Sequence, residues 1–160
     1  MKKIMSACLM WTILVSSVVA AGEKSKISQS DMEIIYKLIG LEKRQDGYIA
    51  QECENEKVDP IVEMVDLNRD GVNEVFVLVN SNTGCYGFSG GNLILLVKDE
   101  KGQYNKNFDF SAGGYKILKT RNKGFPDVEI GGPGFCFPVW RWNGDKYEYY
   151  KKICENEKAI

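Results

Sequence analysis

Asp66-Leu67-Asn68-Arg69-Asp70-Gly71-Val72-Asn73-Glu74, followed at once by Val75-Phe76-Val77-Leu78-Val79, is the stretch whose reading decides the fold. Positions 66, 68 and 70 carry side-chain oxygens, Gly71 permits a sharp turn, and Glu74 adds a carboxylate; a hard cation such as Ca²⁺ takes several oxygens at once from such a loop. The apolar run that follows and residues 61–65 before it have β character, so the loop reads as the turn of a hairpin.

Outward from this hairpin the β signal continues. Residues 80–91, which contain Ser81-Asn82-Thr83-Gly84-Cys85-Tyr86-Gly87, are rich in turn formers and read as an exposed loop pinned by Cys85. Residues 93–97 and 104–110 read as strands around the turn Glu100-Lys101-Gly102, and 115–119, 128–130 and 136–142 continue the series. Asn143-Gly144 is the strongest short hairpin signal, joining Trp140-Arg141-Trp142 to Tyr147-Glu148-Tyr149-Tyr150. At an offset of 53 positions, Arg69-Asp70-Gly71-Val72-Asn73-Glu74-Val75 aligns with Asn122-Lys123-Gly124-Phe125-Pro126-Asp127-Val128. The second copy keeps the Gly turn and lacks the oxygen cluster, and two such copies suggest two stacked antiparallel sheets of propeller-blade type; chance similarity of two Gly turns is the rival reading.

Before the strands, helical spacing predominates. Met32, Ile35, Tyr36 and Ile39 recur on one face, and Gly40 suits the left-handed stop. Two start signals overlap: Ser30 with Glu33 as a capping box, and Ser28 as cap with Ile27 and Met32 as a hydrophobic staple. The fold class expected is mainly β (α+β), with one N-terminal amphipathic helix packed on antiparallel hairpins.

The first residues read as an export signal. Met1-Lys2-Lys3 is basic, 4–15 are largely apolar, and Val18-Val19-Ala20-Ala21 offers small residues for cleavage. Residues 1–21 are therefore expected to be a signal peptide, 22–26 a disordered linker, 27–154 a single β-rich domain and 155–160 a tail. Removing Lys2 and Lys3 and no acid takes the formal net charge from −1 to −3. A mildly acidic product with no basic block is a poor partner for nucleic acid, and after cleavage no membrane-spanning segment is expected. Cys8 leaves with the signal, so Cys53, Cys85, Cys136 and Cys154 remain. An even number in an exported chain implies two disulfides with three connectivities open. Cys85–Cys136 with Cys53–Cys154 is the expected pairing, tying the long loop to the Gly-rich segment and the segment after the helix to the C-terminus.

The 66–74 loop resembles the calcium loop of FG-GAP and VCBS β-repeats. Together with Gly124-Phe125-Pro126-Asp127-Val128-Glu129-Ile130-Gly131-Gly132-Pro133-Gly134-Phe135-Cys136-Phe137-Pro138-Val139-Trp140-Arg141-Trp142-Asn143-Gly144, it is also similar to a family of small exported bacterial proteins. The resemblance spans most of the chain from Asp31 to Tyr150. It implies a β-rich exported domain and places candidate Ca²⁺ ligands on Asp66, Asn68, Asp70, the Val72 carbonyl and Glu74. The repeats usually carry Gly where this chain has Arg69, whose charge opposes a cation and whose side chain disfavours left-handed backbone. Arg69 could itself take the metal's place by pairing with Asp66 or Asp70. Position twelve is Val77 and the flanks are strands, so the loop is not an EF-hand. A metal-free Asx-rich turn is the alternative, and Ca²⁺, if bound, would be held with affinity on the order of millimolar and would clamp the hairpin.

The chain has no histidine, which removes Ser-His-Asp and Cys-His catalysis and every His-ligated metal site. The remaining enzymatic route is a carboxylate pair, for which Asp127 and Glu129 on one strand face are candidates, although edge solubility explains them equally well. Phe135, Phe137, Trp140, Trp142, Tyr147, Tyr149 and Tyr150 crowd one hairpin, and alternation sends one set to the core and leaves the other covered by the helix or free to bind. The leading expectation is a non-enzymatic periplasmic or secreted binding protein of inhibitor or immunity type, acting on an envelope enzyme, with Tyr86, Phe88, Trp140 and Trp142 as contacts. The alternative is a calcium-stabilised structural or adhesion module with glycan as ligand, and third comes a carboxylate-pair hydrolase.

Overall fold

A computed structural model describes residues 27–155. The export signal, the linker and residues 156–160 lie outside the described part. The described residues are mainly β, with one α-helix and two antiparallel sheets.

Helix α1 runs Gln29–Leu38. Of the two start signals Ser28 is the one used: its Oγ accepts from the Asp31 N–H at 3.1 Å, and Ile27 and Met32 pack together against the same core. Gly40 follows at φ +76°, a conformation that costs glycine little.

Ten strands follow: β1 Leu41–Arg44, β2 Gly47–Ala50, β3 Glu56–Val65, β4 Glu74–Asn80, β5 Gly91–Lys98, β6 Tyr104–Ser111, β7 Gly114–Asn122, β8 Phe125–Gly131, β9 Cys136–Trp142 and β10 Tyr147–Cys154. The first six form one sheet in sequence order, and the others a second sheet in the order β10-β9-β8-β7. The smaller sheet has the strand count of a propeller blade and the larger does not. The hairpin of β1 and β2 is not foreseen in the sequence, because in the edge strand β1 only Leu41 is buried and the rest is charged. Pro60 is accommodated inside β3 because β2 pairs only with residues 56–58, so no neighbour on that side needs the missing N–H.

The central strands β4 and β5 of the larger sheet are buried on both faces. Val75, Val77 and Val79 of β4, with Ile94 and Leu96 of β5, meet Ile35, Tyr36 and Ile39 of the helix. Phe76 of β4 and Leu93 and Leu95 of β5 point the other way, into a second core shared with Phe125, Val128, Trp142 and Tyr147 of the smaller sheet. The aromatic hairpin is thus covered by the larger sheet, and the helix lies on that sheet's opposite face.

The two disulfides are Cys53–Cys85 and Cys136–Cys154. This overturns the pairing expected from the sequence. Cys136 and Cys154 are register partners on the adjacent strands β9 and β10, and Cys53, in the short 3-10 turn after β2, lies beside the β4–β5 loop that carries Cys85. Peptide mapping without reduction should recover these two linkages and no others. Their sequence separations of 32 and 18 residues correspond to about 3–4 kcal/mol each in the chain-entropy account. Replacing Cys53 and Cys85 together by Ala should lower the unfolding free energy by about that amount in urea titration.

Candidate functional site

In an antiparallel meander successive connections alternate between the two ends. The β3–β4, β5–β6, β7–β8 and β9–β10 connections share one end, and the β4–β5, β6–β7 and β8–β9 connections share the other.

At the first end stands the acidic loop. Asp66 closes it as an Asx turn: Oδ1 accepts from the N–H groups of Arg69 at 2.7 Å and Asp70 at 3.1 Å, and Oδ2 from Gly71 at 3.0 Å. Asn68 Oδ1 accepts from the Asp70 N–H, Asn68 Nδ2 donates to Asp70 Oδ2 at 2.7 Å, and Asp70 Oδ1 accepts from the Val72 N–H. Glu74 is buried and accepts from the Leu67 N–H at 2.8 Å, which seats Leu67 in the second core. Burial pushes the Glu74 carboxyl above its ordinary range, the Leu67 N–H opposes the shift, and the Asp70 and Asp66 carboxylates add to it. Arg69 takes φ +68°, and the backbone N–H groups, rather than its guanidinium, hold Asp66. Arg121 donates to the Leu67 carbonyl and to the Gly124 carbonyl of the β7–β8 turn, so the β3–β4 and β7–β8 turns lie side by side.

The donor set of Asp66, Asn68, Asp70 and Glu74 is chemically suited to a hard cation. The hydrogen bonds are those of a self-closed turn, and among the described residues no three Asp, Glu, Cys or His side chains gather into a metal cage. Holding Ca²⁺ would compete with the backbone N–H groups that now occupy the oxygens of Asp66, Asn68, Asp70 and Glu74. Beside the loop is a cleft of about 900 Å³. Its lining includes Asp70, Glu74, Asp99 and Asp145, together with Phe125 and Trp142, whose rings stack at 4.2 Å.

At the opposite end is the β4–β5 loop. Its base is fixed by Cys53–Cys85, by Tyr86 Oη donating to Glu52 at 2.9 Å, and by Ser89 Oγ bonding the carbonyls of Tyr86 and Gly91. Thr83 donates to the Glu56 carboxylate. Tyr86 is thereby buried, whereas Phe88 is 99% exposed. Trp142 is buried in the second core and Trp140 packs against it, stacked on Phe110 at 5.0 Å. Of the four proposed contact residues, Phe88 alone is presented fully to solvent; strand alternation and the Glu52 contact turn the others inward. Phe135, 76% exposed on the β8–β9 loop, is a second presented side chain. Its place between Pro133-Gly134 and Cys136 is the signal that could have singled it out.

Asp127 and Glu129 lie on β8, an interior strand of the smaller sheet, and both are buried. An edge-solubility reading of this pair therefore does not hold. Asp127 accepts two hydrogen bonds from Arg141, at 2.9 and 2.6 Å, and one from Thr120 at 2.6 Å. The Arg141 hydrogen bonds hold its carboxyl below the ordinary range against the opposing effect of burial, and Thr120 adds to the lowering. Such a carboxylate is a structural anion and a poor proton donor near neutrality.

Searches against protein-family models, curated proteins and solved structures return no match for this chain.

Asp127→Asn should destabilise the protein by about 1.5 kcal/mol, because it weakens the charge-assisted hydrogen bonds from Arg141, whose guanidinium is partly open to solvent. A lowered carboxyl contributes stability that is present above its unfolded pKa of about 3.9 and lost as pH falls through the lower folded value. The wild-type urea midpoint should therefore drop below about pH 4, and the variant should lack that component. The raised Glu74 works in the opposite sense, its contribution being lost as pH rises through its folded pKa.

Proposed function

We propose that this chain is a non-enzymatic binding protein, periplasmic or secreted, that engages a protein partner of the envelope in the manner of an inhibitor or immunity protein. The observation that carries this reading is Phe88, wholly exposed on a loop whose base is held by a disulfide and three side-chain hydrogen bonds. Burying a phenylalanine is worth about 1.5–3 kcal/mol. The loop holds that side chain in water on an ordered support, so a partner that covers it gains the burial without having to order the loop. The two disulfides suit an oxidising compartment. The absence of histidine and the commitment of Asp127 to Arg141 favour binding over catalysis. Tagged protein should retain one stoichiometric protein from an envelope extract, and Phe88→Ser should lose it with an unchanged melting temperature. Retention on glycan beads instead, with no protein partner, would sink this reading.

The second reading is a calcium-stabilised structural or adhesion module of the FG-GAP and VCBS type. It is favoured by the Asp66 and Asp70 carboxylates, whose charges act on Glu74 in the same loop, beside a cleft lined by Phe125 and Trp142. Asp66, Asn68, Asp70, the Val72 carbonyl and Glu74 would hold the ion, and its charge would replace hydrogen bonds that now close the turn. Ca²⁺ at ten times its Kd would stabilise the fold by about 1.4 kcal/mol. Melting curves in excess Ca²⁺ and in chelator should then differ, Asp70→Ala should remove the difference, and acidification through the raised pKa of Glu74 should shrink it. Coincident curves at 10 mM Ca²⁺ would leave the Asx turn as the whole account, 10 mM being about ten times a millimolar-range Kd.

A further inference from the structure

Among the described residues the most exposed large apolar side chain, Phe88, has a counterpart at the same end of the sheets. Phe135, 76% exposed, sits on the β8–β9 connection, which leaves the strands in the same direction as the β4–β5 loop. Each phenylalanine is held close to a disulfide: Cys85 precedes Phe88 by three positions and Cys136 directly follows Phe135. The loops also approach one another. A groove of about 410 Å³ is lined by Phe88 and Ser89 from one loop and by Gly132 and Pro133 from the other. Gly113 lies at their junction, where a Cβ would stand 3.1 Å from the Ser89 carbonyl and 3.9 Å from the Gly132 Cα. A Cβ there would press on the Ser89 carbonyl and only touch Gly132, so glycine gives the Phe88 loop its close seat at this junction.

One cation, Lys116, lines the groove, and the exposed side chains next to Cys53 and Cys154 are acidic. Glu54 follows Cys53 and is exposed; Glu155 is exposed and its N–H donates to the Phe135 carbonyl at 2.9 Å. Glu52 and Glu56 are tied to Tyr86 and Thr83 at the base of the Phe88 loop. We infer that the two loops form one bipartite interface, and that its partner is a protein with an apolar-lined recess bordered by basic side chains. Paired aromatic anchors on rigid supports are what dominates interface energetics, and a rim of one charge sign steers the complementary sign and sets the association rate. The inference rests on reading the chain as a partner-binding protein and adds the second anchor and the partner's charge.

A photoreactive benzoylphenylalanine placed at position 88, at 135 or, as a control, at 149 on strand β10 separates the possibilities in the cells that make the protein. The same single protein should be crosslinked from 88 and from 135, and not from 149. Against that protein, once purified, Phe135→Ser should weaken binding at least tenfold. Glu54→Lys with Glu155→Lys should slow association at least fivefold at 50 mM salt and flatten its decline towards 500 mM, with melting temperatures unchanged. A partner lost on Phe88→Ser but indifferent to Phe135→Ser and to salt would overturn the bipartite interface and leave the binding reading intact. No crosslink from either phenylalanine would overturn both. Crosslinking of the chain to a second copy of itself, or protection of both positions by glycan, would overturn the proposed partner.

Discussion

Everything in this structure depends on the burial of β4 and β5 from both sides. A strand sends alternate side chains to opposite faces, so an unbroken apolar run such as Val75-Phe76-Val77-Leu78-Val79 is stable only if both faces are covered. Here the odd-numbered valines meet the helix and Phe76 meets the aromatic side chains of the smaller sheet. One strand therefore belongs to two cores, and the domain is three layers deep: helix, large sheet, small sheet. Removal of either outer layer would leave about half of the apolar side chains of β4 and β5 in water.

That constraint also sets what the sequence revealed. The continuous runs at 75–79 and 93–97, the helical stripe from Met32 to Ile39 and the Asn143-Gly144 turn all report local geometry, and each element stands where its pattern places it. The first hairpin was hidden because Leu41 is the only buried residue of β1, and Glu42, Lys43 and Arg44 carry no period. The disulfide pairing was hidden for a different reason. All four cysteines lie at the same end of the meander, so alternation along the chain leaves every connectivity open. The lateral order of strands decides it, through β9 beside β10 and the turn after β2 beside the β4–β5 loop. Of the candidate site, the chemistry of residues 66–74 was legible, but their closed hydrogen bonding was not. Nor could strand parity alone say that Tyr86 and Trp142 turn inward while Phe88 and Phe135 turn out.

The same alternation divides the molecule's possible work between two poles. The acidic loop and its cleft lie at one end, and the phenylalanine loops at the other, separated by the length of strands such as the eight-residue β5, about 26 Å at the usual rise. Over several Debye lengths of exposed surface, charge at one pole has little direct influence on the other. A cation in the 66–74 loop would therefore act on the partner-facing end chiefly by stabilising the sheet that both ends share.

The smaller sheet has its own means of fixing that geometry. Val128 faces Trp140 across β8 and β9, and Glu129 faces Val139, so Asp127 stands directly opposite Arg141. A one-residue slip of β8 would place Asp127 in the aromatic core, and one of β9 would place Trp140 in solvent. The ion pair is not a large source of net stability, since desolvation offsets much of its attraction. Its effect is to penalise the slipped register heavily, because Arg141 also stacks on Tyr150 of β10 at 3.5 Å and so ties three strands to one alignment. That alignment brings Cys136 opposite Cys154 and carries Phe135 out beyond the end of the sheet. The exposed phenylalanine at one pole thus leaves a strand whose register is held, near its other end, by the Asp127–Arg141 pair.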